Sequence, residues 1–253
     1  MGKLEAYEEA QNGVRALDFR GYAIDSPEMY RQYQSRNSFG LGPDHRIHRI
    51  FQKNYLEDDI ANQRLTLPRA NATIWKDPLE NPLADVEDID VVTGRPICLG
   101  SLVRSFFALC WTQREFAKPE DWASFSHGAE AVRISTTVGK LMDRVMSITD
   151  PEYMFRGWIV GVEYKEPHLI QAMQNPSEVY ARIDSQGALL AMAAASVRSQ
   201  FSSEEEVRLL YDQSFNRAPI KSRVIKNGKL LQIPFDWTDF IDEQVVGREQ
   251  AGT

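Results

Sequence analysis

The chain has 253 residues, a formal net charge of −7 and a hydrophobic share of 43%. This is globular composition, long enough for one large core or two small ones, and it argues against disorder. The acidic balance argues against broad, non-specific nucleic-acid binding, and two cysteines, Cys98 and Cys110, exclude a disulfide framework or a four-cysteine zinc site.

Residues 1–44 read as a polar helical extension. Ser26-Pro27-Glu28 predicts a helix start, with serine as cap and proline in the first turn. Two glycines and a proline between Asn37 and Pro43 then break the helix. From residue 45 to 253 short strands alternate with helices. Arg46 to Phe51 predicts a strand with Ile47, Arg49 and Phe51 on one face. Asn54 to Gln63 predicts a short helix, and Arg64 to Leu67 a second strand. Leu79 to Arg95 is rich in proline and acid and reads as a surface loop. Ser105 to Trp111 is almost continuously apolar, as expected of a strand buried on both faces.

Ala131 to Thr136 predicts another strand. Val138 to Ile148 carries apolar residues at helical spacing. Trp158 to Tyr164 predicts a strand, Gln186 to Gln200 a long Ala- and Leu-rich helix, and Glu204 to Tyr211 a late strand. Val224 to Ile233 predicts a hairpin turning at Asn227-Gly228. Asp236 to Ile241 predicts a short helix, and Gln244 to Gly247 a last strand. The fold expected is α+β, a mixed and mainly antiparallel β core with peripheral helices. No uncharged apolar run approaches the ~18 residues that span a bilayer. The N-terminus has no apolar signal core. A cytoplasmic protein with no membrane partner is the expectation.

Four polar motifs carry chemistry. In Glu204-Glu205-Glu206-Val207-Arg208, a strand would set Glu204, Glu206 and Arg208 on one face. Two carboxylates at i and i+2, roughly 7 Å apart, repel each other, and an adjacent arginine offsets the repulsion. Such a trio suits stabilising positive charge that develops as a glycosidic bond breaks. It also suits an edge strand guarded by charge. In Trp75-Lys76-Asp77-Pro78-Leu79-Glu80, Asp77 can hold a turn that presents Glu80. Cys110-Trp111-Thr112 and the segment Trp122-Ala123-Ser124-Phe125-Ser126-His127 supply aromatic walls for a flat ring, or plain core. Arg49, on the early strand, suits a phosphate or pyrophosphate through its planar fork.

Taken in order, these motifs resemble an uncharacterised bacterial domain family. That family carries Asn-Asp-Pro-Phe-Glu, Cys-Phe-Ser, Trp-x-x-Tyr, Glu-x-Glu-x-Arg and Val-Val-Gly motifs. The counterparts here are Lys76-Asp77-Pro78-Leu79-Glu80, Cys110-Trp111-Thr112, Trp122 to Phe125, Glu204 to Arg208 and Val245-Val246-Gly247. The layout is distantly similar to the ADP-ribosyltransferase superfamily. That resemblance implies an NAD-consuming enzyme, transferring ADP-ribose to a macromolecule or hydrolysing NAD, as a toxin or phage-defence effector. It implies Glu206, Glu204 and Arg208 as the catalytic group. Arg49, Trp111, Trp122, Phe125, Asp77 and Glu80 would surround NAD. A protein acceptor is slightly preferred on charge grounds, and an antitoxin or a second copy of the chain would be the partner. A non-enzymatic nucleotide-binding module is the alternative. A Mg²⁺-dependent nuclease built on Glu163-Tyr164-Lys165 with Asp143 or Asp150 is the third reading.

Overall fold

The computed structural model describes residues 2–247 apart from 76, 127, 148–149, 151, 185 and 216–219. Lys76, His127 and Ile148, named above, lie outside the described residues. The strands in chain order are β1 (Arg46–Gln52), β2 (Arg64–Pro68), β3 (Glu87–Ile89), β4 (Pro96–Cys98), β5 (Phe106–Thr112), β6 (Ala131–Thr137) and β7 (Gly157–Gly161). They continue with β8 (Glu163–Lys165), β9 (Ser196–Arg198), β10 (Glu206–Asp212), β11 (Ile225–Asn227), β12 (Leu230–Pro234) and β13 (Glu243–Val246). The helices are α1 (Lys3–Phe19), α2 (Pro27–Asn37), α3 (Lys53–Ala61), α4 (Ala72–Trp75) and α5 (Pro119–Ser126). After them come α6 (Val138–Val145), α7 (Tyr153–Arg156), α8 (Pro167–Ala172), α9 (Pro176–Tyr180) and α10 (Ala188–Ala194).

The fold is α+β with a mainly antiparallel core. A six-stranded antiparallel sheet runs in the order β13-β6-β1-β5-β10-β7. Alternation along β5 and β10 builds two cores. Phe107, Leu109, Trp111, Val207, Leu209 and Tyr211 face the sheet β11-β12-β2 and helix α6. Phe106, Ala108 and Leu210 face α10 and the loops around Leu83, Leu99 and Val103. Apolar residues on both faces explain why β5 reads as a continuous greasy run. On the α10 side, Gly100 is required, because a Cβ there would stand 2.0 Å from the Ala84 carbonyl oxygen.

One feature of β1 shapes the rest of the molecule. β1 pairs with β6 along its whole length, from Arg46 opposite Thr137 to Gln52 opposite Ala131. With β5 it shares a single pair, His48 opposite Thr112, and beyond that pair the two strands part.

Several sequence expectations are corrected. The late strand begins at Glu206, not Glu204, because Ser199–Glu204 forms a 3₁₀ turn and Glu205 is left-handed at φ 45°. The long Gln186–Gln200 helix shrinks to α10. Asp184 accepts the N–H groups of Gln186 to Leu189 at its start, and Val197 is drawn off into a parallel pairing of β9 with β8. Tertiary pairing overrides helix propensity there. The Trp158–Tyr164 run divides between β7 and β8, which belong to different sheets. The hairpin turns at Gly228-Lys229, one residue later than expected, with Gly228 at φ 58°. Asp236–Ile241 is not a helix. Phe235, Trp237 and Phe240 instead pack on one another at 4.8–5.3 Å between ring centroids.

The N-terminal helices pair with each other and dock on the sheet through Arg36. Its Nε donates to Asn37 Oδ1 at 2.8 Å and its Nη2 to the Met154 carbonyl at 2.7 Å. The guanidinium lies 4.5 Å from the Tyr33 ring centroid and 5.3 Å from that of Trp158. No helix of the described residues is long and apolar enough to cross a membrane. Arg36→Met strands buried acceptors and loses these ring contacts, so it is expected to cost about 3 kcal/mol or more. Urea unfolding followed by circular dichroism measures this, with Arg36→Lys expected to fall between the two.

Candidate functional site

The site starts from Arg208, in the middle of β10 and 1% exposed. Its Nε donates to Glu206 Oε1 at 2.6 Å, and its Nη2 donates to Glu206 Oε2 at 3.3 Å and to Glu80 Oε2 at 3.1 Å. Its Nη1 donates to Glu80 Oε1 and, at 3.0 Å, to the Ala194 carbonyl. The Trp75 ring covers the guanidinium at 4.9 Å. Every N–H of the fork is engaged, which is the condition for burying an arginine.

Two carboxylates on one guanidinium leave a surplus negative charge where water is scarce. Burial pushes the Glu80 carboxyl above its ordinary value, against the pull of Arg208 and with Glu206 and Asp77 adding to the rise. For Arg208, burial works against its charge, but Glu206 and Glu80 outweigh burial and hold the proton firmly. The Cys110 thiol, beside Glu206, is pushed well up by burial and then by the carboxylate, so it is a poor nucleophile.

Glu206 also faces a cavity of 40 Å³, lined by Arg49, Trp111, Arg114, Phe125 and Glu204 among others. The cavity lies beside the parting of β1 from β5. There Arg49 Nη1 donates to the Cys110 carbonyl, so a side chain replaces a missing ladder bond. Burial weakens the hold of Arg49 on its proton, opposed by Cys110 and Glu206. Burial and the charge of Glu206 push Glu204 up, opposed by Arg208 and Arg114. Two neighbouring carboxylates therefore occupy unequal environments, one locked on an arginine and one half-buried and slow to ionise. That division is how acid and base roles are assigned to a carboxylate pair.

The sequence-predicted residues do not all meet here. Glu204, Glu206, Arg49, Trp111 and Phe125 line the one cavity. Trp111 is chiefly core, edge-on to Phe51 and Phe240. Trp122 turns away, into a separate groove of 600 Å³, where it lies against Gly247. Trp122 and Phe125, three apart on α5, are near neighbours on the helix, and the packing of α5 on the sheet sends Asp121 and Phe125 to the first cavity and Trp122 and Ser126 to the groove. Asp77 is likewise outside the cavity: it ion-pairs with Arg198 at 3.1 Å and accepts the Leu79 N–H at 3.0 Å. Glu80 reaches the site only from behind Arg208.

Sequence reasoning missed Arg114, Asp121, His48 and Arg133 as cavity residues. Arg114 Nη2 bonds Asp121 Oδ1 at 2.7 Å, and this pair ties α5 to the end of β5. Arg133 Nη2 reaches the carbonyls of Arg114 and Glu115 at 2.7 and 2.9 Å. His48 Nδ1 lies 2.7 Å from Ser135 Oγ, and burial, followed by the charge of Arg133, lowers its affinity for a proton. The alternation of Arg133 and Ser135 with Val132 and Ile134 in β6 was the available signal. Among the described residues, no group of three His, Cys, Asp or Glu is placed to hold a metal ion.

Compared with protein-family profiles, with curated proteins and with solved structures, the chain matches none of them.

The Glu204 environment has a measurable consequence. A carboxyl whose value is raised in the fold keeps its proton longer there than in the unfolded chain. Stability is therefore lost as pH rises from the ordinary glutamate value of 4.5 through the raised one. Glu204→Gln removes this penalty. Its melting temperature is expected to match wild type at pH 4 and to exceed it at pH 7, as measured by differential scanning calorimetry.

Proposed function

We propose that the protein is an NAD-consuming enzyme with an ADP-ribosyltransferase-like core, cleaving the bond between nicotinamide and ribose. The reading is carried by one observation: Arg49, Glu204 and Glu206 line a single, largely apolar cavity beside the parting of two strands. In the reaction, the bond between the nicotinamide nitrogen and ribose C1′ breaks and its electron pair leaves with nicotinamide. Glu206, fixed by Arg208, stabilises the positive charge left on the ribose. Glu204, with its raised affinity for protons, takes the proton of the incoming water or acceptor hydroxyl. Arg49 offers its guanidinium to the phosphates, and Phe125 supplies a wall for the ring. A macromolecular acceptor, and a toxin or phage-defence role, belong to the same reading.

A cavity of 40 Å³ holds water but not a dinucleotide. The reading therefore requires α5 to swing outward. Helix α5 has no fully buried residue, and the Arg114–Asp121 bond joins its wall to the sheet. A second reading, nucleotide binding without turnover, is favoured by the engagement of both Glu206 oxygens with Arg208. The nuclease reading has less support, because Glu163 pairs with Lys165 at 3.1 Å and is half exposed.

Nicotinamide release from NAD, followed by chromatography, tests the proposal. Wild type is expected to release it, and Glu204→Gln and Glu206→Gln to lose about a hundredfold or more. Glu80→Gln loosens Arg208 without touching the cavity and is expected to retain more activity than Glu206→Gln. Thermal stabilisation by NAD with no release in wild type would leave the binding reading standing and remove the enzymatic one.

A further inference from the structure

A second cavity, of 270 Å³, lies behind the Arg208 cluster, lined by Arg69, Asn71, Thr73, Glu80, Asn81 and Arg104 among others. Its cations are under-used. Arg69 Nη1 donates to the Arg104 carbonyl at 3.3 Å and its guanidinium lies 5.3 Å from the Phe107 ring centroid, while its Nε and Nη2 have no protein acceptor among the described residues. Arg104 Nε donates to the Ala84 carbonyl at 2.9 Å. Its Nη2 reaches Asp85 at 3.4 Å, but that carboxylate is 90% exposed, so water screens the pair. Glu80, also on this wall, is bonded through both oxygens to Arg208, which it shares with Glu206. The cavity therefore presents two guanidinium groups and favours an oxyanion.

A second, independent observation narrows the class. Asn81 is 2% exposed and its Nδ2 donates to the Ala70 carbonyl at 2.9 Å. Its Oδ1 is buried without a hydrogen-bond partner. An orphaned buried acceptor costs free energy until a donor reaches it. A simple oxyanion carries acceptors alone and does not meet that need. A hydroxyl on the same molecule does, once the Asn81 side chain turns its sealed Oδ1 toward the cavity.

We propose that this cavity binds a small phosphorylated sugar, its phosphate against Arg69 and Arg104 and one hydroxyl donating to Asn81 Oδ1. The site does not rest on the NAD reading. It is joined to the first cavity, because Glu80 walls one, Glu206 walls the other, and both carboxylates grip Arg208. Trp75 spans the same junction, donating its indole N–H to the Arg69 carbonyl at 3.0 Å while its ring covers Arg208. Occupancy of the second cavity is thus reported at Trp75.

Calorimetric titration of the full chain with ribose 5-phosphate tests this, with inorganic phosphate as the comparison. The expected result is one site for ribose 5-phosphate, weakened about tenfold or more in Arg104→Glu. Thr73→Phe, at an exposed lining position, narrows the mouth and is expected to weaken binding similarly at an unchanged melting temperature. Ligand addition is expected to change tryptophan fluorescence, and Trp75→Phe to lose that change. Absence of binding by wild type, or equal binding by wild type and both lining variants, overturns the site. Equal affinity for inorganic phosphate overturns the sugar class. A fluorescence change kept in full by Trp75→Phe overturns its placement beside the Arg208 cluster.

Discussion

A buried guanidinium organises this molecule. Arg208 lies in the second strand from one edge of the central sheet, with a carboxylate on each side and an indole over its face. Leaving any of its five N–H groups unmet would cost more than most single core contacts contribute. The chain therefore brings two distant segments, the loop at Glu80 and the end of α10 at Ala194, to the strand that carries Arg208 and Glu206. The 77–105 excursion is held down by Glu80 on Arg208 together with the buried side chains of Leu83, Val86, Leu99 and Val103.

The same cluster leaves two carboxylates looking outward from a shared cation. Glu206 faces the cavity beside the β1–β5 parting, and Glu80 faces the cavity under Arg69 and Arg104. A charge brought to either face changes the balance on Arg208 and is felt at the other, as coupled sites in a low-dielectric interior must. The excess negative charge is tolerated because Glu80 holds its proton more readily than a solvated glutamate.

Strand pairing produces the hollow at the front. β1 is fully married to β6, and its divergence from β5 after His48 leaves carbonyls that a neighbouring strand would normally meet. Arg49 meets one of them at Cys110. Helix α5 then closes the opening, fastened by Arg114 to Asp121. Polar side chains thus serve both the architecture and the candidate chemistry, and one motif can be read either way from residue types alone.

Local patterns in the sequence determined much of the frame. The apolar run at β5 was legible because both faces are buried. The cap at Ser26 was legible because its Oγ bonds a backbone N–H three residues on. The pairing of Glu206 with Arg208 was legible from spacing, whereas Glu204 precedes the strand and meets Glu206 only at the cavity. Tertiary structure alone decided the rest. It divided Trp122 from Phe125, shortened α10 in favour of β9, and joined Glu80 to Arg208 across 128 residues of chain. Spacing reports which side chains share a local face. Which distant charge answers a buried guanidinium depends on the whole chain closing around it, and no local pattern carries that information.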